Sequence, residues 1–229
     1  MPPIVLWSLG HVALLLIAYL LGSFPTGYLL GRWLKGIDIR NYGSGSTGAT
    51  NVLRTLGKGP GAVVLLIDTI KGAVAIALIQ WAYSANSPLL NWIPSDINPS
   101  QWLPWVAVLA GLAAVLGHSR SVWLNFSGGK SVATSLGMLL MLNWQVGLAT
   151  FGVFGLMLAL SRIVSLSSVT GAIAAPLLMV YLHQPLAYIL LGVVGGLYVI
   201  VRHRTNLQRL LAGTEPRLGE KPAPIEPTS

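Results

Sequence analysis

Residues 60–83 read PGAVVLLIDTIKGAVAIALIQWAY, and this stretch decides what kind of protein the chain is. At 1.5 Å per residue, about 20 apolar residues cross a hydrocarbon core roughly 30 Å thick. The stretch is long enough to do so, and Asp68 and Lys71 are its only charged residues. Comparable apolar runs flank it at 4–32, 101–118, 131–143, 146–161, 166–182 and 185–201. With 54% hydrophobic and only 9% charged residues, the chain falls among polytopic membrane proteins. The runs predict an all-α protein of seven transmembrane helices occupying residues 1–212. The first run lacks a basic leader and a small-residue cleavage site, so it reads as a retained span. A Pro- and Glu-rich tail over 213–229 is predicted to be disordered and cytoplasmic.

The basic residues set the orientation. Arg32, Lys35, Arg40, Arg54, Lys58, Arg120, Lys130, Arg162, Arg202, Arg204, Arg209, Arg217 and Lys221 all fall on one side if the spans alternate. That is thirteen of the 14 Lys and Arg; the opposite connections, 84–100, 143–145 and 183–185, hold none. The positive-inside rule then predicts an N-terminus outside and a C-terminus in the cytoplasm. The net charge of +8 is thereby assigned to cytoplasmic loops rather than to nucleic-acid binding. The absence of cysteine excludes disulfides and thiolate chemistry. Nothing in the sequence indicates a metal, a cofactor or an obligate protein partner; the expected partner is the lipid bilayer.

Four polar clusters fall on the predicted cytoplasmic face: 41–54 (NYGSGSTGATNVLR), 117–134 (GHSRSVWLNFSGGKSVAT), 162–168 (RIVSLSS) and 202–211 (RHRTNLQRLL). The glycines of the first permit φ > 0, and Ser44 and Arg54 supply a donor and a charge. Lys130 stands at the predicted start of a span, where helix N–H groups favour anions. Glycine-rich turns, basic side chains and helix N-termini together suit phosphate. Neither glycine run is a P-loop: Leu124 stands where 124–131 needs its first glycine, and Ala49 stands where 43–50 needs lysine.

Lys71 is the one basic residue set inside a span, which makes it a functional candidate. Its side chain leans back toward the cytoplasmic end, either to feed the anion site or to pair with Asp68 at i−3. His203 and Asn206, three apart on one helical face, could donate to a carbonyl or a phosphate. None of the histidines has Asp five positions on, and Glu215 and Glu220 lie in the tail. The pattern therefore offers no carboxylate pair and implies positioning and electrostatics instead.

The stretches GSFPTGYLLGR (22–32), NYGSGSTGATNVLRTLGK (41–58), DTIKG (68–72), GH (117–118), GGKSVAT (128–134), SLSS (165–168) and RHRTNLQRLL (202–211) carry a resemblance. From about Leu20 to Gly213 the chain resembles the bacterial acyl-phosphate-dependent glycerol-3-phosphate acyltransferases, the PlsY family. The resemblance implies a seven-helix enzyme of the bacterial plasma (inner) membrane with its active site facing the cytoplasm. It implies transfer of a fatty acyl group from acyl-phosphate to the 1-hydroxyl of glycerol 3-phosphate, giving lysophosphatidic acid and phosphate. By position it assigns phosphate binding to Ser44, Arg54, Lys71 and Lys130, and catalytic contact with the acyl carbonyl to His203 and Asn206. The chain departs from the family pattern at Ser46, usually Asn, and Ser131, usually Gly. An anion or phosphate-lipid transporter is the alternative, but no internal repeat supports one, and a basic lipid-binding scaffold leaves the four clusters unexplained.

Overall fold

The computed structural model describes residues 1–94 and 97–220; Asp96 and the part of the predicted disordered tail beyond residue 220 lie outside the described residues. The described residues fold into ten α-helices. They are α1 (Pro3–Ser23), α2 (Thr26–Lys35), α3 (Ala49–Leu56), α4 (Lys58–Ala82) and α5 (Pro99–Ser119), then α6 (Val132–Leu142), α7 (Trp144–Ser161), α8 (Val164–Tyr181), α9 (Leu186–Arg202) and α10 (Arg204–Leu211). Helix ends follow local chemistry. Asn98 and Asn143 cap α5 and α7 by accepting backbone N–H groups, and Gly36 in the left-handed region closes α2.

Five segments among the described residues are long and apolar enough to cross a membrane: Ile4–Lys35, α4, α5, α7 and α8. The pair α9–α10, bent by 59°, makes a sixth if it counts as one span. Helix α6, expected to cross, has 11 residues and reaches only about 16 Å. A count of seven thus requires α6 to act as a span despite its length.

The short helix is seated by close backbone contact with α4. A Cβ on Gly72 would strike the Thr134 carbonyl oxygen, and one on Gly137 would strike that of Thr69. Small residues let membrane helices approach in this way, where burial of apolar surface gives little drive. Around this contact Ile76, Val108, Met138, Val146, Met179 and Leu191 join α4 through α9 in one core. Ala75, Ala107, Ala110 and Ala114 close α4 and α5 on α1. A third, smaller core of Ile39, Val52 and Val64 supports the glycine-rich stretch from beneath.

Candidate active site

The glycine-rich stretch is organised by the buried side chain of Asn51. Its Nδ2 donates to the carbonyls of Ile39, Tyr42 and Ser46 at 3.2, 3.0 and 2.8 Å, and its Oδ1 accepts the Ser44 N–H at 2.9 Å. Gly43 (φ 58) has to be glycine, because a Cβ there would overlap the Asn51 oxygen. The loop is thus a wrapped turn that sets α3 in place, with Ser44 exposed on its rim. Arg54, in the last turn of α3, is half-buried and donates from Nη2 to the Pro216 carbonyl at 3.2 Å.

Lys130 occupies the turn between α5 and α6 and donates from Nζ to Asn206 Oδ1 on α10. Burial pushes its pKa down to about 8; Arg209, Arg202 and Arg54 crowd it further, and Glu215 partly opposes them. Asn206 passes the contact on by donating from Nδ2 to Glu215 Oε1 at 2.6 Å. That carboxylate also accepts from Ser165 Oγ at 2.7 Å and from Arg209 Nε at 2.8 Å. Burial works to raise the Glu215 pKa, but the hydrogen bonds from Asn206, Ser165 and Arg209 outweigh it and hold it below its ordinary value. Both ends of the Asn206 amide face chemically suitable partners, oxygen to ammonium and nitrogen to carboxylate.

His203 lies at the joint between α9 and α10, buried, with Nδ1 2.8 Å from the Val199 carbonyl. A carbonyl can only accept, so Nδ1 carries the proton, and in the neutral ring Nε2 is the acceptor. Two further donors, Arg54 Nε and Arg202 Nε, are buried without a hydrogen-bond partner among the described residues. Four cations face one carboxylate here, leaving about three positive charges with every group ionised.

The structure therefore brings Arg54, Lys130 and Asn206 together, with His203 at the adjoining helix joint. Lys71 belongs to a second group: its Nζ is 2.9 Å from Asp68 Oδ1 and 3.1 Å from the Phe24 carbonyl. Of the two roles open to it from the sequence, the pairing with Asp68 is the one formed. Glu215 is the residue the sequence reading missed. Residues 213–220, expected to be disordered, are folded against α8 and α3: Leu218 donates its N–H to the Arg162 carbonyl at 2.6 Å, and Glu215 is buried. A run of Pro and Glu reads as disordered by composition alone, and the pairing of Glu215 with Arg209, six residues earlier, shows only in the fold. Ser131, where the family usually has glycine, does adopt the left-handed region (φ 63). Its Oγ donates to the Val115 carbonyl at 2.8 Å, which offsets the strain.

An apolar helical bundle carrying a desolvated cluster of phosphate-compatible cations at one end defines an integral membrane enzyme acting on an anionic substrate. The chain belongs to the glycerol-3-phosphate acyltransferase family, whose model matches residues 12–213. It is 65% identical to the glycerol-3-phosphate acyltransferase of Nostoc sp. over 209 residues, 91% of this chain and 92% of that one. Identity to the enzyme of the same name from Acaryochloris marina is 60% over 218 residues, 95% of this chain and 96% of that one. The fold is similar to the crystal structure of PlsY (YgiH), an integral membrane glycerol 3-phosphate acyltransferase. Its glycerol 3-phosphate form gives a TM-score of 0.79 at 37% identity, covering 92% of this chain and 96% of that one. The lysophosphatidic acid form gives 0.76 at 36% identity, covering 91% and 95%.

Proposed function

We propose that the chain transfers a fatty acyl group from acyl-phosphate to the 1-hydroxyl of glycerol 3-phosphate at the cytoplasmic face of a bacterial plasma (inner) membrane. The hydroxyl oxygen forms the new ester bond to the acyl carbon, the bond from that carbon to the phosphate oxygen breaks, and inorganic phosphate leaves. In this reading α6 and α9 complete seven spans, which puts the two termini on opposite sides, the N-terminus outside and the C-terminus inside. The distribution of thirteen of the 14 basic residues supports that orientation.

The observation that carries the reading is the gathering of Arg54, Arg202 and Arg209 around Lys130, which is itself held by Asn206, with the Nε–H groups of Arg54 and Arg202 unpaired among the described residues. Phosphate oxygens satisfy such donors, and in a desolvated site each interaction is stronger than in water. Lys130 and Arg54 hold phosphate, and Ser44 contributes from the rim of the glycine-rich loop. Asn206 polarises the acyl carbonyl, and Nε2 of His203 is the ring atom left to accept the hydroxyl hydrogen bond. A substrate phosphate takes up the hydroxyl proton as the ester forms. Lys71 acts on this site from its pair with Asp68. Incubating the purified protein with acyl-phosphate and labelled glycerol 3-phosphate, with acyl-CoA as the alternative donor, tests the reading by the appearance of labelled lysophosphatidic acid.

A further inference from the structure

Lys130 is seated from both sides on the last turn of α5. On one side the Gly129 N–H donates to the His118 carbonyl at 3.1 Å, while Arg202 Nη2 donates to the Gly129 carbonyl at 2.9 Å. A Cβ added to Gly129 would run into the His118 ring, and one added to Gly128 would strike the His118 carbonyl. On the other side Ser131 is tied to Val115 through its hydroxyl. The imidazole that covers Gly129 is itself enclosed. Its Nδ1 lies 3.7 Å from Asp68 Oδ1, the same oxygen that takes Lys71 Nζ at 2.9 Å and the Thr26 hydroxyl at 3.4 Å. A chain of contacts thus runs from the mid-helix ion pair of α4, through His118, to the peptide that carries Lys130.

We propose that His118, held by the Asp68–Lys71 pair, is a positioning residue for acyl transfer: its ring and carbonyl fix the Gly129–Lys130 peptide so that the Lys130 ammonium meets the substrate phosphate. The inference rests on Lys130 holding phosphate. It gives Lys71 a route to the site that needs no contact with substrate. Small displacements matter in such an arrangement, because a shift of about 1 Å can cost roughly 100-fold in rate.

The test measures kcat/KM for glycerol 3-phosphate against pH, per folded enzyme, for Lys130→Ala, His118→Ala, His118→Gln, Gly129→Ala and the double variant His118→Ala/Gly129→Ala. His118→Ala and Gly129→Ala should each lose about 30- to 100-fold, and His118→Gln, which keeps a planar polar group over Gly129, should recover about 10-fold of that. In the His118→Ala background, Gly129→Ala should cost no more than about 3-fold, because the ring it strikes is gone. Lys130 is faced by Arg54 on α3, Arg202 on α9, Asn206 and Arg209 on α10 and Glu215 in the tail; His118 is faced by Asp68 and Lys71 on α4 and by Arg202. A Lys130 freed from that crowd keeps its proton to higher pH, so the alkaline fall in activity near 8 should move upward in His118→Ala and Gly129→Ala. Losses that simply multiply in the double variant, or an unmoved alkaline limb, overturn the proposal. Should His118→Ala not fold, the limb in Gly129→Ala decides alone: shifted supports the proposal, unshifted overturns it. Near-normal turnover in Lys130→Ala overturns the phosphate-holding reading itself, whereas inactivity of that variant without the other effects removes only the role of His118.

Discussion

The Asn206 side chain joins Lys130 to Glu215, accepting from the ammonium with its oxygen and donating to the carboxylate at 2.6 Å with its nitrogen. This amide bridges a charged group of the α5–α6 turn to one of the tail. Asn206→Ala should therefore lower kcat/KM by about 100-fold or more, since it removes the proposed donor to the acyl carbonyl and leaves two desolvated charges unbridged. Asn206→Asp should fare no better, because it sets a second carboxylate against Glu215. Initial rates on purified variants, with circular dichroism to check folding, decide both.

Activity should decline as pH rises through about 8, where Lys130 gives up its proton. The sign follows from the proposed role: an ammonium would hold phosphate, and the neutral amine would not. Lys130→Arg keeps its charge to beyond about pH 12 and so should move the alkaline limb out of range, even though its planar fork fits the site less well and lowers the plateau. The profile of kcat/KM against pH for the two proteins measures this.

Glu215 makes an opposite prediction for stability. Its folded pKa lies below the ordinary value of 4.5, so the stabilisation it contributes is fully present above that value. It is lost as pH falls through the depressed folded value. Thermal unfolding in detergent should show Tm falling as pH drops from about 5. Glu215→Gln should be less stable than the parent at neutral pH and should show a flatter acid limb. Equal acid limbs in the two proteins would count against the buried carboxylate.

The α4–α6 contact predicts a different kind of sensitivity. Gly137→Ala puts a methyl into the Thr69 carbonyl oxygen and should cost about 1–3 kcal/mol or more, as overpacking does. Gly152→Ala, with nothing near its Cβ position, should be neutral within about 0.5 kcal/mol. Because α6 begins beside Lys130, the Gly137 variant should also lose turnover. Paired thermal unfolding and rate measurements compare them.

How much of this was legible beforehand depended on range. The apolar runs and the collection of basic residues on one face were readable because span length and charge asymmetry are local properties, whereas the choice of Arg54, Lys130 and Asn206 among that face's residues rested on the resemblance. The apolar run 131–143 gave the place of α6, but composition does not show how few of its residues are helical, since Ser131 and Asn143 stand outside the helix as its caps. Nothing local distinguishes Asn51 from the other polar residues of its loop, and only the closed turn shows it bonded to three carbonyls and an N–H. Glu215 was invisible for a physical reason: a carboxylate among prolines is solvated unless cations from distant elements surround it, and those cations come from α3, the α5–α6 turn, α9 and α10. Lys71 was visible as an anomaly, but whether it faced Asp68 or the substrate depended on how α4 meets α5.

The claim that this cation cluster performs acyl transfer from acyl-phosphate is tested most directly by one assay. Purified protein is mixed with acyl-phosphate and labelled glycerol 3-phosphate, beside the Lys130→Ala variant and a reaction supplied with acyl-CoA instead. The account predicts labelled lysophosphatidic acid from acyl-phosphate with the parent protein, and a loss of about 100-fold or more with Lys130→Ala. No product from acyl-phosphate, or near-parental turnover in the variant, would contradict it.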